Sequence, residues 1–132
     1  MSCNHAVSDL VTRIKNASIA KKSSTSSPFS SLRESVLHIL KEEGYILNYT
    51  KIPGVNGVSS LEIHLKYANS VSVINEISVI SKPGGRVYRG VDNLAPVRNG
   101  LGVLVISTSQ GILSDYEAKR RNLGGEVLFK IF

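Results

Sequence analysis

Val7, Leu10, Val11 and Ile14 recur at i, i+3, i+4 and i+7, the spacing of one helical face, and predict a helix over 6–17 that packs its apolar side on a sheet. Thr12, Arg13, Lys15 and Asn16 belong to its polar complement. A second stripe, Leu32, Val36, Ile39 and Leu40, follows Ser31 and Glu34 at capping-box spacing and stops at Gly44, which predicts a second helix. Between the two, 21–28 is a run of lysines, serines and a threonine closed by Pro28, a polar connection able to embrace a phosphate backbone or to stay mobile.

The period then changes from helical to alternating. Residues 45–52 read as a strand, 53–57 as a turn, and Leu61, Ile63, Leu65 and Tyr67 alternate with Glu62, His64 and Lys66, giving a hairpin with one buried face. His64 falls on the outward face, where an exposed, structurally neutral histidine is the plainer reading. After a break at 68–70, Val71, Val73, Ile77, Val79 and Ile80 predict one long bent strand or two short ones. Leu101–Ile106 is an unbroken run rich in β-branched residues with glycine before it, suited to a buried strand. It ends abruptly in Ser107, Thr108, Ser109, Gln110 and Gly111. These carry donors and acceptors without charge, a set suited to the edges of bases and sugars and equally to an ordinary strand-to-helix turn. Ser114 and Glu117 repeat the capping spacing and start a short helix through Arg121, which Gly124 or Gly125 stops. Residues 126–132 form a last strand with Val127, Phe129 and Ile131 on one side. The pattern predicts an α+β chain of two small half-domains. One is a helix-helix-hairpin unit over 1–68; the other, over 69–132, is a mainly antiparallel β unit with a short helix.

Charge adds a direction. Sixteen Lys and Arg against ten Asp and Glu leave +6 in 132 residues, a bias toward polyanions. The excess is spread, with eight basic and five acidic side chains on each side of Ser70, so contacts can come from both halves. The densest positive segment is 1–22, where Arg13, Lys15, Lys21 and Lys22 face the single acid Asp9, although a solvated helix face has the same appearance. In 81–89, Lys82, Arg86 and Arg89 are interleaved with Tyr88 around a Pro-Gly turn, a pattern that favours RNA or else a charged hairpin with a snorkelling tyrosine. Three Phe, five Tyr and no Trp argue against a stacking platform for several single-stranded bases.

Other chemistry finds little support. The lone Cys3 cannot form an internal disulfide and suits a reducing cytoplasm. His5, His38 and His64 lie far apart with no ligand spacing, so neither metal nor cofactor is expected. Apolar runs reach about six residues, far below the roughly 20 of a membrane span, and no signal peptide is visible. A serine of 107–109 near Asp115 is the obvious nucleophile, but no histidine sits in a comparable turn and no nucleophile elbow or Walker lysine is present. The chain does not read as an enzyme.

Five segments taken in order carry a resemblance: Asp9-Leu-Val-Thr-Arg-Ile-Lys-Asn-Ala17, Leu40-Lys-Glu-Glu-Gly-Tyr45, Ser81-Lys-Pro-Gly-Gly-Arg-Val-Tyr88, Gly100-Leu-Gly-Val-Leu-Val-Ile-Ser-Thr-Ser-Gln-Gly111 and Gly124-Gly-Glu126. Together they resemble the bacterial small-subunit ribosomal protein eight family, nearly end to end. The resemblance implies two α+β half-domains and primary binding to a helical element in the central domain of small-subunit rRNA. It also implies neighbouring small-subunit proteins, help in subunit assembly, a cytoplasmic ribosome and, in some members, repression of the operon's own messenger. By position it implies that Ser107, Thr108, Ser109 and Gly111 form the main RNA-contacting loop. Arg86, Tyr88 and Glu126 support that loop, and Thr12, Arg13, Lys15 and Asn16 contribute from the first helix. Lys21 and Lys22 join this set as phosphate-neutralising cations. Two positions depart from the family pattern: Gly85 stands where a larger apolar residue is usual, and Phe129 where a cysteine is frequent. A binding module for an acidic protein and a small hydrolase using the serine loop are the rival readings.

Overall fold

The first apolar stripe forms helix α1 (Cys3–Ile19) in the computed structural model, which describes residues 3–82, 84–94 and 102–132. Val7, Leu10, Val11, Ile14 and Ala17 are its buried side. The stretch read as a polar connection is in part a strand, β1 (Ser24–Pro28), because its backbone pairs antiparallel along β3 (Ser59–Leu65) and buries Ser27. That pairing continues one step further, with the Phe29 amide donating to the Ser59 carbonyl, and leaves Ser30 as the last extended residue. Hence helix α2 (Ser31–Glu42) is capped by Ser30, not Ser31: the Ser30 hydroxyl accepts from the Arg33 amide at 3.1 Å. Gly44, in the left-handed region at φ 84°, follows its C-terminus. Strand β2 (Ile46–Pro53) and β3 make the expected hairpin, joined through a 3₁₀ turn at Val55–Gly57, and the first sheet runs β1-β3-β2. His64 is on its outward face, half-exposed, 3.2 Å from Glu62.

The run after the break divides into short pieces. Strands β4 (Tyr67–Ala68) and β5 (Val71–Ser72) close a tight turn over Asn69 and Ser70, both at positive φ, and β6 (Ile77–Val79) follows. Strand β7 (Tyr88–Arg89), β8 (Val103–Thr108), β9 (Gly111–Ser114) and β10 (Gly125–Ile131) join β6 in the second sheet, antiparallel throughout, in the order β6-β10-β8-β9 with β7 also paired to β10. Helix α3 (Asp115–Arg120) begins with Ser114 accepting from the Glu117 amide at 3.2 Å. It ends through Asn122 at φ 58°, not through Gly124 or Gly125, which sit where strands pass too closely for any side chain.

The second sheet is covered on both faces, which is why Val103–Ile106 shows no alternation. Ile77, Val103, Val105, Leu128, Phe129 and Ile131 face a core shared with α1, α2 and the first sheet. Leu104, Ile106 and Val127 pack with Ala118 and Leu94 on the opposite side. A bulge in β10 produces this split: Val127 faces Ile106 and Phe129 faces Val105, leaving Leu128 unmatched. The extra residue turns Val127 away from Phe129 and Ile131, so the single apolar side read from the sequence is corrected to two. Phe129, with no exposed surface, fills the core beneath β8. Among the described residues no helix is long and apolar enough to cross a membrane.

Charge also holds the N-terminal elements together. Arg33, 8% exposed on α2, donates at 2.8 Å to Asp9 of α1 and at 2.5 Å to the Ser27 hydroxyl of β1. Arg13 donates to the same carboxylate at 2.8 Å and to the Ser26 carbonyl at 2.9 Å. Burial alone would raise the Asp9 carboxyl, but the hydrogen bonds and charges of Arg33 and Arg13 outweigh it and hold the group below its ordinary 3.8. A carboxylate lowered on folding stabilises the fold fully above its ordinary pKa and loses that contribution as the pH falls through the lowered value. Asp9→Asn is therefore expected to lower stability at pH 7 by about 1–2 kcal/mol, reduced from the deeply buried case because Asp9 is 35% exposed, and to flatten the acid limb of a urea-denaturation series as the pH falls through and below the ordinary carboxyl value.

Candidate nucleic-acid interface

Strands β8 and β9 are joined by Ser109 and Gln110, so the polar tip is a β-hairpin turn and not a strand-to-helix turn. Ser107 and Thr108 still belong to β8, opposite Ile112 and Gly111. Neither Ser109 nor Gln110 has positive φ; Gly111 takes it instead, at 112°, a conformation L side chains rarely adopt. The Thr108 hydroxyl accepts from the Gln110 amide at 3.1 Å and donates to the Gly111 carbonyl at 2.8 Å, bracing the turn from within. The Ser107 and Ser109 hydroxyls make no hydrogen bond among the described residues, and Ser109 is exposed. The turn thus has one internal brace and two hydroxyls available to a ligand.

Three of the singled-out residues form one row across the sheet. Glu126 of β10 is opposite Tyr88 of β7 on one side and Ser107 of β8 on the other, and directly opposed residues of antiparallel strands share a face. Tyr88 is 69% exposed at the sheet edge, beside exposed Arg89. Glu126 is buried, within 3.3 Å of the Arg86 guanidinium. The Pro-Gly turn that carries Arg86 is closed by reciprocal backbone hydrogen bonds between Lys82 and Gly85, at 3.2 and 2.9 Å; Pro83 lies outside the described residues. Gly85 has open space where a side chain would stand.

The α1 residues form a second group. Thr12, Lys15 and Asn16 are exposed on its outer side. Arg13 and Asn16 line a shallow hollow with Lys22 and Thr25, and Lys15 borders another with Ile74 and Glu76. Lys21 ends the helix at φ 57° and Lys22 is anchored through its carbonyl, which accepts from the Tyr67 hydroxyl at 2.5 Å. Arg13 differs from the other cations because Asp9 and the Ser26 carbonyl already hold it. Outside both groups, Glu117 is held below the usual carboxylate range by its hydrogen bonds from Arg120 and Arg121, an ion pairing confined to α3 and the residue that caps its C-terminus.

Sequence reasoning overlooked Ser81 and Gly125. Ser81 is fully buried against Glu126, at 2.6 Å, and a lone serine before Lys-Pro-Gly gives no signal of that. A Cβ on Gly125 would lie 2.1 Å from the Ser107 carbonyl oxygen, and one on Gly124 would lie 2.6 Å from that of Arg89. The glycine pair lets β7, β10 and β8 close around the row; its proximity to a helix end disguised it as a stop.

A family model described as Ribosomal protein S8 covers residues 5–132. The chain belongs to the ribosomal protein S8 family. It is 52% identical over 132 residues to the small ribosomal subunit protein uS8 of Rhodopseudomonas palustris (strain BisB18) and to that of Nitrobacter hamburgensis, and 50% identical to that of Xanthobacter autotrophicus. Each alignment spans 100% of both chains. Members of the S8 family are structural constituents of the ribosome and not enzymes, so the serine tip has no nucleophilic role to fill.

Gly125→Ala is expected to destabilise the fold by about 2–3 kcal/mol, because the new methyl group meets backbone that can yield only by separating β8 from β10. Urea unfolding checks the loss. Gly57→Ala, which has no neighbouring atom within 4 Å of the added Cβ, should lose less, through its positive φ alone.

Proposed function

We propose that this member of the S8 family is a primary binder of the central domain of small-subunit rRNA, and that it divides affinity from discrimination between its two groups of residues. The exposed cations Lys15, Lys21 and Lys22, with Arg13 adding charge from a fixed position, neutralise phosphates beside Thr12 and Asn16. Such contacts release counterions and are blind to sequence. The 107–111 hairpin, with Arg86 and Tyr88 at its side, reads the shape of the RNA. An A-form helix hides its major groove and presents 2′-hydroxyls and base edges in a shallow minor groove, where small uncharged hydroxyls approach closely. The observation that carries this reading is the state of the tip: Thr108 and Gly111 are committed to its shape, while Ser107 and Ser109 retain their donors and acceptors.

Within the ribosome, this binding helps build the platform of the small subunit beside neighbouring small-subunit proteins, in the cytoplasm. A hairpin that reads rRNA can also read a similar fold in the operon's own messenger and repress its translation. Both half-domains take part, with the cationic helix in 1–68 and the reading hairpin in 69–132.

The division predicts separable defects. Ser109→Ala should weaken binding to a central-domain rRNA fragment by about 0.5–1.5 kcal/mol while leaving the dependence of log K on log salt unchanged. Lys22→Ala should weaken binding to specific and unrelated RNA alike and reduce that slope by about one. Filter-binding titrations at several salt concentrations measure both. Equal slopes for the two variants would remove the division of labour.

A further inference from the structure

Resting on that reading, we infer that Glu126 is a positioning residue: its carboxylate fixes the 81–87 segment and thereby sets where Arg86 and Tyr88 stand beside Ser107. On charge alone, a carboxylate between two ligand-facing residues opposes a polyanion. Its surroundings resolve the conflict. Glu126 is 8% exposed, and its Oε2 accepts from the Ser81 hydroxyl at 2.6 Å and lies 3.3 Å from Arg86 Nη1. The charge is turned into the protein and met by a guanidinium, and hydrogen bonds to a charged acceptor are stronger than neutral ones.

Ser81 passes the hold along the chain. Its hydroxyl donates to Glu126 and accepts from the Val87 amide at 3.1 Å, which ties the first residue of the segment to the last through one oxygen. The Val87 carbonyl in turn accepts from the Val127 amide at 2.9 Å, and this bond brings Tyr88 into register opposite Glu126. Arg86 keeps 32% of its side chain exposed while one nitrogen faces the carboxylate. Glu126 acts on a ligand through these neighbours and makes no contact of its own.

Binding of a central-domain rRNA fragment by the full chain, carrying Glu126→Gln, Arg86→Ala or both, tests the assignment together with amide exchange of Val87 in the free protein. Positioning predicts that Glu126→Gln weakens binding about fivefold although it removes a negative charge, that it costs less in the Arg86→Ala background, where only the placement of Tyr88 is left to lose, and that the Val87 amide exchanges faster. Ser81→Ala breaks the same link without altering charge and should reproduce both the weaker binding and the faster exchange. Tighter binding by Glu126→Gln would show a carboxylate that only repels phosphate and overturn the assignment. An undiminished loss in the Arg86→Ala background would show a direct contact and overturn it equally. Should the wild-type chain bind the fragment no better than unrelated RNA, the function proposed above fails. Val87 exchange then decides the positioning claim alone: faster exchange in Glu126→Gln upholds it and unchanged exchange removes it.

Discussion

The second sheet depends on how closely β10 can approach its neighbours. One strand pairs with β6, β7 and β8, and at its start the backbone of β8 comes so near that only glycine fits at position 125. That contact, with the bulge two steps later, settles which residues share a face: Glu126 joins Tyr88 and Ser107 in one row, Val127 turns toward α3, and Leu128 and Phe129 turn toward the shared core. A wider approach would separate the row and leave the hairpin tip without its base. The candidate interface is thus a consequence of backbone packing before it is a matter of side-chain chemistry.

The two groups of cations and hydroxyls rest on one shared core, to which a charged tie is added under α1. Under the hairpin lies a dry core, in which Phe129 and Val105 have no exposed surface, so the tip is held by packing that salt does not weaken. Helix α1 packs Val7, Leu10, Val11, Ile14 and Ala17 on the same core and has in addition a charged tie among Asp9, Arg33 and Arg13, reaching Ser26 and Ser27 of β1. That tie loosens in acid.

Much of this was legible in the residues. The helical stripes of α1 and α2, the β2–β3 hairpin, the Ser114 cap and the buried run of β8 are all written in local spacing, where periodicity and capping act over a few residues. What escaped depends on partners distant in the chain. The serine-rich stretch 24–28 becomes a strand only because β3 offers it a ladder, Ser30 displaces Ser31 as a cap because that ladder runs one residue further, and the bulge at Leu128 exists only in relation to β8. In the candidate site, the identities of Ser107, Ser109, Tyr88 and Arg86 were visible, whereas the clamp formed by Ser81 was not, since a buried hydroxyl facing a carboxylate 45 positions away leaves no local trace.

Discrimination by the hairpin is the property on which the proposed function rests. A gel-shift titration of the wild-type chain on a central-domain rRNA fragment, repeated with a large excess of unrelated RNA, measures it most directly. A reading hairpin predicts a complex that persists with nearly unchanged midpoint under the competitor. A complex that dissolves in proportion to the unrelated RNA would mean that the cations alone hold the ligand and that the 107–111 tip reads nothing.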